Sequence, residues 1–392
     1  MNQNFSSKQL MKFCNEYELS ESGITSDVLL EQVDLNFNAI INDTFEFKIE
    51  KKGNYYLSTD LSNKLILRKL NDNLKRIYKD RQSNRRLIIT QIKSLLSDDM
   101  PMWILKTDIQ SFYESIDVTR LKSKLQEDAI LSYHSLKLIN QLFEYFSENG
   151  VMGLPRGIGL SATLSEIYMR KFDWWIKSKK EIFYFARFVD DIILFCTKEE
   201  EITKINERIN SRLPKGLRKK EIKTLVFNGN NIKSETPLQF LGYKFTTSQI
   251  SRNKKELKVS IADNKVKKIK TKVIQALLEN WKERNFELLV KRIKFLTGNY
   301  SIRSGKNKND LKAGIYYNYS QINDLSVLDN INMFYRKSLK SKNGPWGQKI
   351  SASLSIFQVN HLLKYSFKSG FKDRVYSNFN KEEMVEITNC WR

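Results

Sequence analysis

Two stretches decide the reading of this chain: WILKTDIQSFYESID at 103–117 and FVDDIILF at 188–195. Each sets an acidic residue at the end or turn of a strongly apolar run, where loss of water makes a carboxylate costly unless it is paired or holds a cation. In the second stretch Asp190 and Asp191 are adjacent between apolar runs, which predicts a strand-turn-strand hairpin with the acids at its tip. Like charges this close repel, and a divalent cation is the usual compensation. With Asp108 and Asp190 side by side on neighbouring strands, their oxygens could bridge two Mg2+ ions about 3.5–4 Å apart, the geometry of two-metal phosphoryl transfer. An Asp-Asp pair by itself is more often a turn or a helix cap, so the weight lies in what surrounds it.

Around these stretches, residues 101–250 alternate short β-rich runs (FYFARFV, IILFC, KTLVF, LQFLGYKF) with helical segments such as ATLSEIYMRKFDWWI. That pattern predicts an α+β region with a mostly antiparallel sheet. Upstream, FEFKIEKKGNYYLS alternates around Lys51-Lys52-Gly53-Asn54, a hairpin turn signal, and Leu65, Ile66, Leu70, Leu74 and Ile77 follow at helical spacing. From about residue 260 long amphipathic helices replace the strands. Residues 251–300 hold 14 Lys or Arg against 5 Asp or Glu, a surplus that could track a phosphate backbone or simply form a solvated face. The expected boundaries are an N-terminal region at 1–100, an α+β region at 101–250 and a helical basic region at 251–392.

Composition sets the limits. The 392 residues carry a formal charge of +23, with 41% hydrophobic and 12% aromatic residues, which excludes a disordered or collagen-like chain. The excess positive charge implies a polyanionic partner, of which nucleic acid is the commonest. The longest uncharged stretch, Ile350 to Leu363, has 14 residues, short of the ~20 apolar residues a membrane span needs. Cys14, Cys196, Cys390, His134 and His361 are scattered without disulfide or zinc spacing, and MNQNFSSKQL lacks a secretory core. The expectation is a cytoplasmic protein with neither structural zinc nor a membrane partner.

Five segments then fall in a fixed order. Asp108 is followed five residues on by Tyr113; GLPRGIGLSATLSEIY carries Pro155, Gly157 and Ser161; Phe188 to Asp191 form aromatic-x-Asp-Asp; GLRKKEIKT carries Lys223; and FLGY spans Phe240 to Tyr243. In this order they resemble motifs A to E of the reverse transcriptases. The resemblance implies a right-hand polymerase fold with fingers, palm and helical thumb, and an RNA-directed DNA polymerase. It implies catalytic roles for Asp108, Asp190, Asp191 and Lys223, with Asp108, Ile109, Asp190 and Asp191 as metal-holding positions for two Mg2+ ions, or Mn2+. Tyr113, Arg68, Arg156 and Gly157 become the nucleotide contacts. Phe240, Leu241, Gly242 and Tyr243 become a primer grip, with Lys267, Lys268 and Lys270 on the nucleic-acid backbone. Among fingers arginines, Arg68 ranks ahead of Arg85 and Arg86. Many family members have Gln between the Pro and Gly of motif B, where this chain has Arg156.

The chain lacks the Val-Thr-Gly of retron enzymes, the Cys/His nuclease of group II intron enzymes and an acidic ribonuclease H array. It most resembles the bacterial defence-associated reverse transcriptases of the unknown-group and abortive-infection branch, type 3 in particular, over most of residues 60–340. The MNQNFSSKQL opening resembles the first of the two enzymes in such systems. That implies deoxynucleoside triphosphates, a non-coding RNA template, a repetitive DNA product, a second reverse transcriptase subunit and a higher-order complex acting against phage. Two rival readings share the palm: an RNA-dependent RNA polymerase, disfavoured by Tyr113, and an idle RNA-binding scaffold, disfavoured by three intact acids.

Overall fold

The computed structural model describes residues 2–79, 83–251, 254–302 and 311–391. Its residues divide into two compact units, Met1–Ile88 with Pro101–Asn228, and Ile89–Met100 with Gly229–Arg392.

In the first unit the hairpin read at Gly53-Asn54 is β1 (Ile49–Lys52) paired with β2 (Tyr55–Ser58), Lys52 opposite Tyr55. A helix, Leu61–Tyr78, starts where the Asp60 carboxylate accepts the Asn63 N–H at 2.7 Å. Its buried residues Leu61, Leu65, Ile66, Leu70 and Leu74 recur at the i, i+4 spacing that lines one helical face. The central sheet holds β3 (Trp103–Asp108), β4 (Ile182–Phe188), β5 (Asp191–Cys196) and β6 (Leu225–Asn228) in the order β4-β5-β3-β6, every pair antiparallel. Strand β5 is buried from Ile192 to Cys196, as a central strand covered on both faces should be. Helix Gly159–Lys177 carries the buried Leu160, Leu164, Ile167 and Phe172. These side chains join those of the 61–78 helix and of β3 and β5 in one core.

The second unit has a meander of β7 (Leu238–Phe240), β8 (Tyr243–Ser251) and β9 (Lys254–Ile261), a hairpin of β10 (Asn299–Ile302) with β11 (Leu311–Gly314), and helices that include Asp263–Glu283, Phe286–Thr297 and Ser326–Lys340. Sequence patterning places a boundary near 250; the compact units part at 228/229. The reason is pairing: β7 bonds to β8 and β8 to β9, and none of them joins the β4-β5-β3-β6 sheet. Among the described residues no helix is long and apolar enough to cross a membrane.

Candidate active site

The sheet register brings the acids together. Asp108, the last residue of β3, stands directly opposite Asp191, the first of β5, and Phe188 also pairs with Asp191 across a two-residue loop of Val189 and Asp190. Directly opposed residues project from the same face of a sheet, so the Asp108 and Asp191 carboxylates share one face. The Ile109 N–H donates to the Asp190 carbonyl at 3.1 Å, which fixes the loop against the end of β3. A third segment closes on the same strand end: Gln110 N–H donates to the Arg218 carbonyl at 2.9 Å and Lys220 N–H to the Asp108 carbonyl at 2.7 Å. The turn beyond it carries Lys223, whose ammonium donates to Asp108 Oδ2.

Opposite these groups lies the loop before the 159–177 helix. Gly153 has φ +69, and a Cβ there would fall 2.1 Å from the Tyr113 carbonyl oxygen; Leu154 N–H donates to that same oxygen at 2.8 Å. Gly157 has φ +98, and its Cβ would meet the Tyr56 carbonyl oxygen at 2.5 Å, beside the Tyr56 N–H to Arg156 carbonyl bond of 2.8 Å. Glycine is the residue that permits both contacts. The loop is thereby seated on Tyr113 on one side and on the β1–β2 hairpin on the other.

Between them is a cavity of about 740 Å3 lined by Asp108, Ile109, Tyr113, Arg156, Gly157, Asp190, Lys220 and Lys223, with Tyr55 at its wall. Burial raises the Asp190 carboxyl above its ordinary range, with Asp108 adding repulsion, and burial with Asp190 and Asp108 beside it pushes Asp191 up to about 6. The bond to Asp108 holds the Lys223 ammonium above the usual lysine range. Burial raises the Tyr113 phenol. Arg156 donates through Nε to Glu114 Oε1 at 2.8 Å and through Nη2 at 2.7 Å. The cavity therefore opposes two carboxylates to three cations, and can hold a polyanion and a hard cation side by side.

Among the described residues no three Asp, Glu, His or Cys side chains gather into one metal-binding group: Asp108 and Asp190 line the cavity, while Asp191, paired with Asp108 across the ladder, is not part of that lining. The donor set is nonetheless all oxygen, its acids destabilise one another, and one already attracts an ammonium. These are conditions that a divalent cation relieves, so the residues fit one.

The structure places several of the expected residues away from this cavity. Arg68 is not on the cavity; it lies in the 61–78 helix, where it donates to both oxygens of Glu18 and, at 3.0 Å, to the Phe13 carbonyl. The run before it is helix, so its side chain turns to the N-terminal segment and is neutralised there. Neither Arg85 nor Arg86 lines the cavity. Phe240 and Tyr243 are buried at 2% and 3% exposure and pack within the second unit. Leu241 and Gly242, both at positive φ, form the two-residue tip between β7 and β8. Lys267 and Lys270 line a groove of about 480 Å3 in that unit with Thr271 and Phe334, and Lys268 is exposed outside it. The reading of the sequence missed Tyr55, Glu114 and Lys220; the hairpin turn at Gly53-Asn54 was visible, but nothing local ties it to a loop a hundred residues later.

Residues 49–245, half of the chain, match the family described as reverse transcriptase (RNA-dependent DNA polymerase). The chain belongs to the reverse transcriptase family. The antiparallel sheet with its acids at the β4–β5 turn is the palm of the right-hand polymerase fold. No curated protein sequence matches the chain. Similar solved structures include the apo telomerase of Candida tropicalis, at 13% identity over 96% of this chain and 61% of that one with a TM-score of 0.36. Another is the telomerase of Candida albicans in complex with a TWJ fragment of telomeric RNA, at 16% identity over 85% of this chain and 56% of that one with a TM-score of 0.34. A Candida tropicalis telomerase truncated from its C-terminal domain matches over 58% of this chain and 48% of its own, at 13% identity and a TM-score of 0.34. The chain thus spans about half to three fifths of the length of these telomerases. Similarities this low leave the fold assignment to the sheet topology and the family match.

Proposed function

We propose that the chain is an RNA-directed DNA polymerase whose active site is the cavity between Asp108, Asp190 and the 153–157 loop. The observation that carries this reading is the opposition of Asp108 and Asp190 to Arg156, Lys220 and Lys223 around one cavity, with Tyr113 in its wall. The three cations suit a triphosphate, and Arg156 is preset by its two bonds to Glu114. Lys223, which donates to Asp108 at the cavity wall, balances the charge of the departing pyrophosphate. Tyr113 fills the space beside the sugar, so that a 2′-hydroxyl would clash and deoxynucleotides are selected. Asp108 and Asp190 at the cavity, with Ile109 and Asp191 next to them, would hold Mg2+, which when bound supplies charge stabilisation for an in-line phosphoryl transfer.

We further propose, on the resemblance of residues 60–340, that the template is part of an associated non-coding RNA, that a second reverse transcriptase joins the complex, and that the DNA made serves defence against phage. Sequencing the nucleic acid that co-purifies with the chain tests this part. A recurrent RNA with complementary repetitive DNA is expected; unselected cellular RNA would overturn it. The polymerase reading itself is tested by offering an RNA template with a DNA primer and labelled nucleotides. Alkali-resistant product made from deoxynucleotides is expected, and alkali-labile product made from ribonucleotides would favour the RNA polymerase reading.

A further inference from the structure

Arg187 lies in β4, three residues before Asp190, and its side chain is only 3% exposed. Burying a guanidinium is costly unless every donor is satisfied, and here every one is. Nε donates to Asp173 Oδ1 at 2.9 Å, and Nη2 to Asp173 Oδ2 at 2.6 Å and Glu166 Oε2 at 2.5 Å. Nη1 donates to Glu166 Oε1 at 3.0 Å and to the Val189 carbonyl at 3.1 Å. Glu166 and Asp173 are seven residues apart, two turns along one face of the 159–177 helix. Four of the five bonds therefore fasten Arg187 to that helix, and the fifth reaches the loop that presents Asp190.

That loop needs holding. Val189 has φ +59, a conformation that a β-branched residue seldom adopts and that persists only where the surroundings enforce it. The Val189 carbonyl belongs to the peptide before Asp190 and the Asp190 carbonyl to the peptide after it. The first is held by Arg187 and the second by the Ile109 N–H at 3.1 Å. With both flanking peptides fixed, the Cα–Cβ direction of Asp190 is fixed as well.

We propose that Arg187, braced by Glu166 and Asp173, is a positioning residue that holds the strained Val189 turn so that the Asp190 carboxylate faces the cavity. It touches no reacting atom; it acts through Asp190. The inference rests on the polymerase reading for its kinetic consequence, but its structural half stands alone. Lysine keeps the charge but has three donors where five are used and cannot reproduce the planar fork.

The test compares wild type with Arg187→Lys by two readouts. The first is hydrogen exchange at the Ile109 amide, which reports directly on the position of the Asp190 carbonyl. It is expected to quicken tenfold or more, while amides of the β3–β5 ladder around Leu105 and Leu194 change less than threefold. The second is primer extension: kcat is expected to fall tenfold or more, with the KM for deoxynucleotide moving less than threefold, a split that general loss of folded protein does not produce. Introducing Val189→Gly, which removes the cost of a positive φ, should shrink the loss caused by Arg187→Lys in a double-mutant cycle. Unchanged exchange at Ile109, or a kcat loss that is equal in both Val189 backgrounds, overturns the proposal. If Arg187→Lys does not fold, Glu166→Gln loosens the same fork and is read by the same exchange. If wild type makes no DNA, the polymerase reading fails while the exchange result still decides whether Arg187 holds the turn.

Discussion

Replacing Gly157 by Ala perturbs the cavity without touching a charged group. At φ +98 a side chain costs about 1–2 kcal/mol. The new Cβ would also sit 2.5 Å from the Tyr56 carbonyl oxygen, a backbone atom that cannot swing aside as a flexible side chain would. The hairpin must retreat, and the bond from Tyr56 N–H to the Arg156 carbonyl, worth about 1 kcal/mol, is lost. The total is about 2–3 kcal/mol. Because Tyr55 and Arg156 both line the cavity, the displacement should be felt in nucleotide binding. The φ cost falls on stability, as it does in the control below; the ~1 kcal/mol of the lost hairpin–loop bond is the share that reaches binding, and at about 1.4 kcal/mol per factor of ten it should raise the KM for deoxynucleotide by about fivefold. The assay is steady-state primer extension beside urea unfolding. Gly150→Ala is the control, since Gly150 has φ +68 but nothing within 4 Å of its Cβ; it should lower stability and leave KM alone. If Gly157→Ala loses stability like the control and its KM does not move, the contact between hairpin and loop has no part in forming the site.

Tyr113→Ala should raise ribonucleotide incorporation relative to deoxynucleotide by at least tenfold on one template; an unmoved ratio makes Tyr113 a packing residue and removes the main argument against an RNA polymerase. Converting Lys267, Lys268 and Lys270 to Gln should flatten the salt dependence of template-primer binding by about 0.9 in log-log slope for each lysine engaged, and an unchanged slope returns the three to a solvated face. Activity should fall with acid as Asp191, pushed up to about 6, and Asp190 take up protons. The Lys223 charge lowers both carboxyls, so Lys223→Gln should move that limb of the pH profile of kcat/KM to higher pH; a shift to lower pH would mean that the ammonium does not stabilise the ionised acids.

The meeting of the three acids was legible because the signal is local: an apolar run ending in Asp108 and a two-residue turn before Asp191 determine strand, register and tip together. The Gly53-Asn54 hairpin was legible for the same reason. What escaped depends on partners distant in sequence. Arg68 reads as a nucleotide contact because nothing around it reveals Glu18, fifty residues earlier, as its partner. The Glu114 partner of Arg156 is 42 residues away, and the Glu166 and Asp173 partners of Arg187 lie on a helix whose pattern says only which face is apolar. Phe240 and Tyr243 illustrate a different ambiguity. Aromatics beside a tight turn suit a grip or a core equally well, and the burial of both follows from the packing of the β7-β8-β9 meander.

The central claim is that deoxynucleotides are joined on an RNA template at the Asp108 and Asp190 carboxylates. Asp190→Asn keeps the shape of the turn and removes one charge, so folding and template affinity should survive while turnover does not. The decisive measurement is the single-turnover rate of deoxynucleotide addition to a primer on an RNA template, for wild type and Asp190→Asn side by side at saturating Mg2+. A loss of several kcal/mol of transition-state stabilisation predicts a rate at least about a thousandfold lower, at equal template affinity and unfolding midpoint. A variant that extends primers within tenfold of wild type would contradict the assignment of this cavity as the active site.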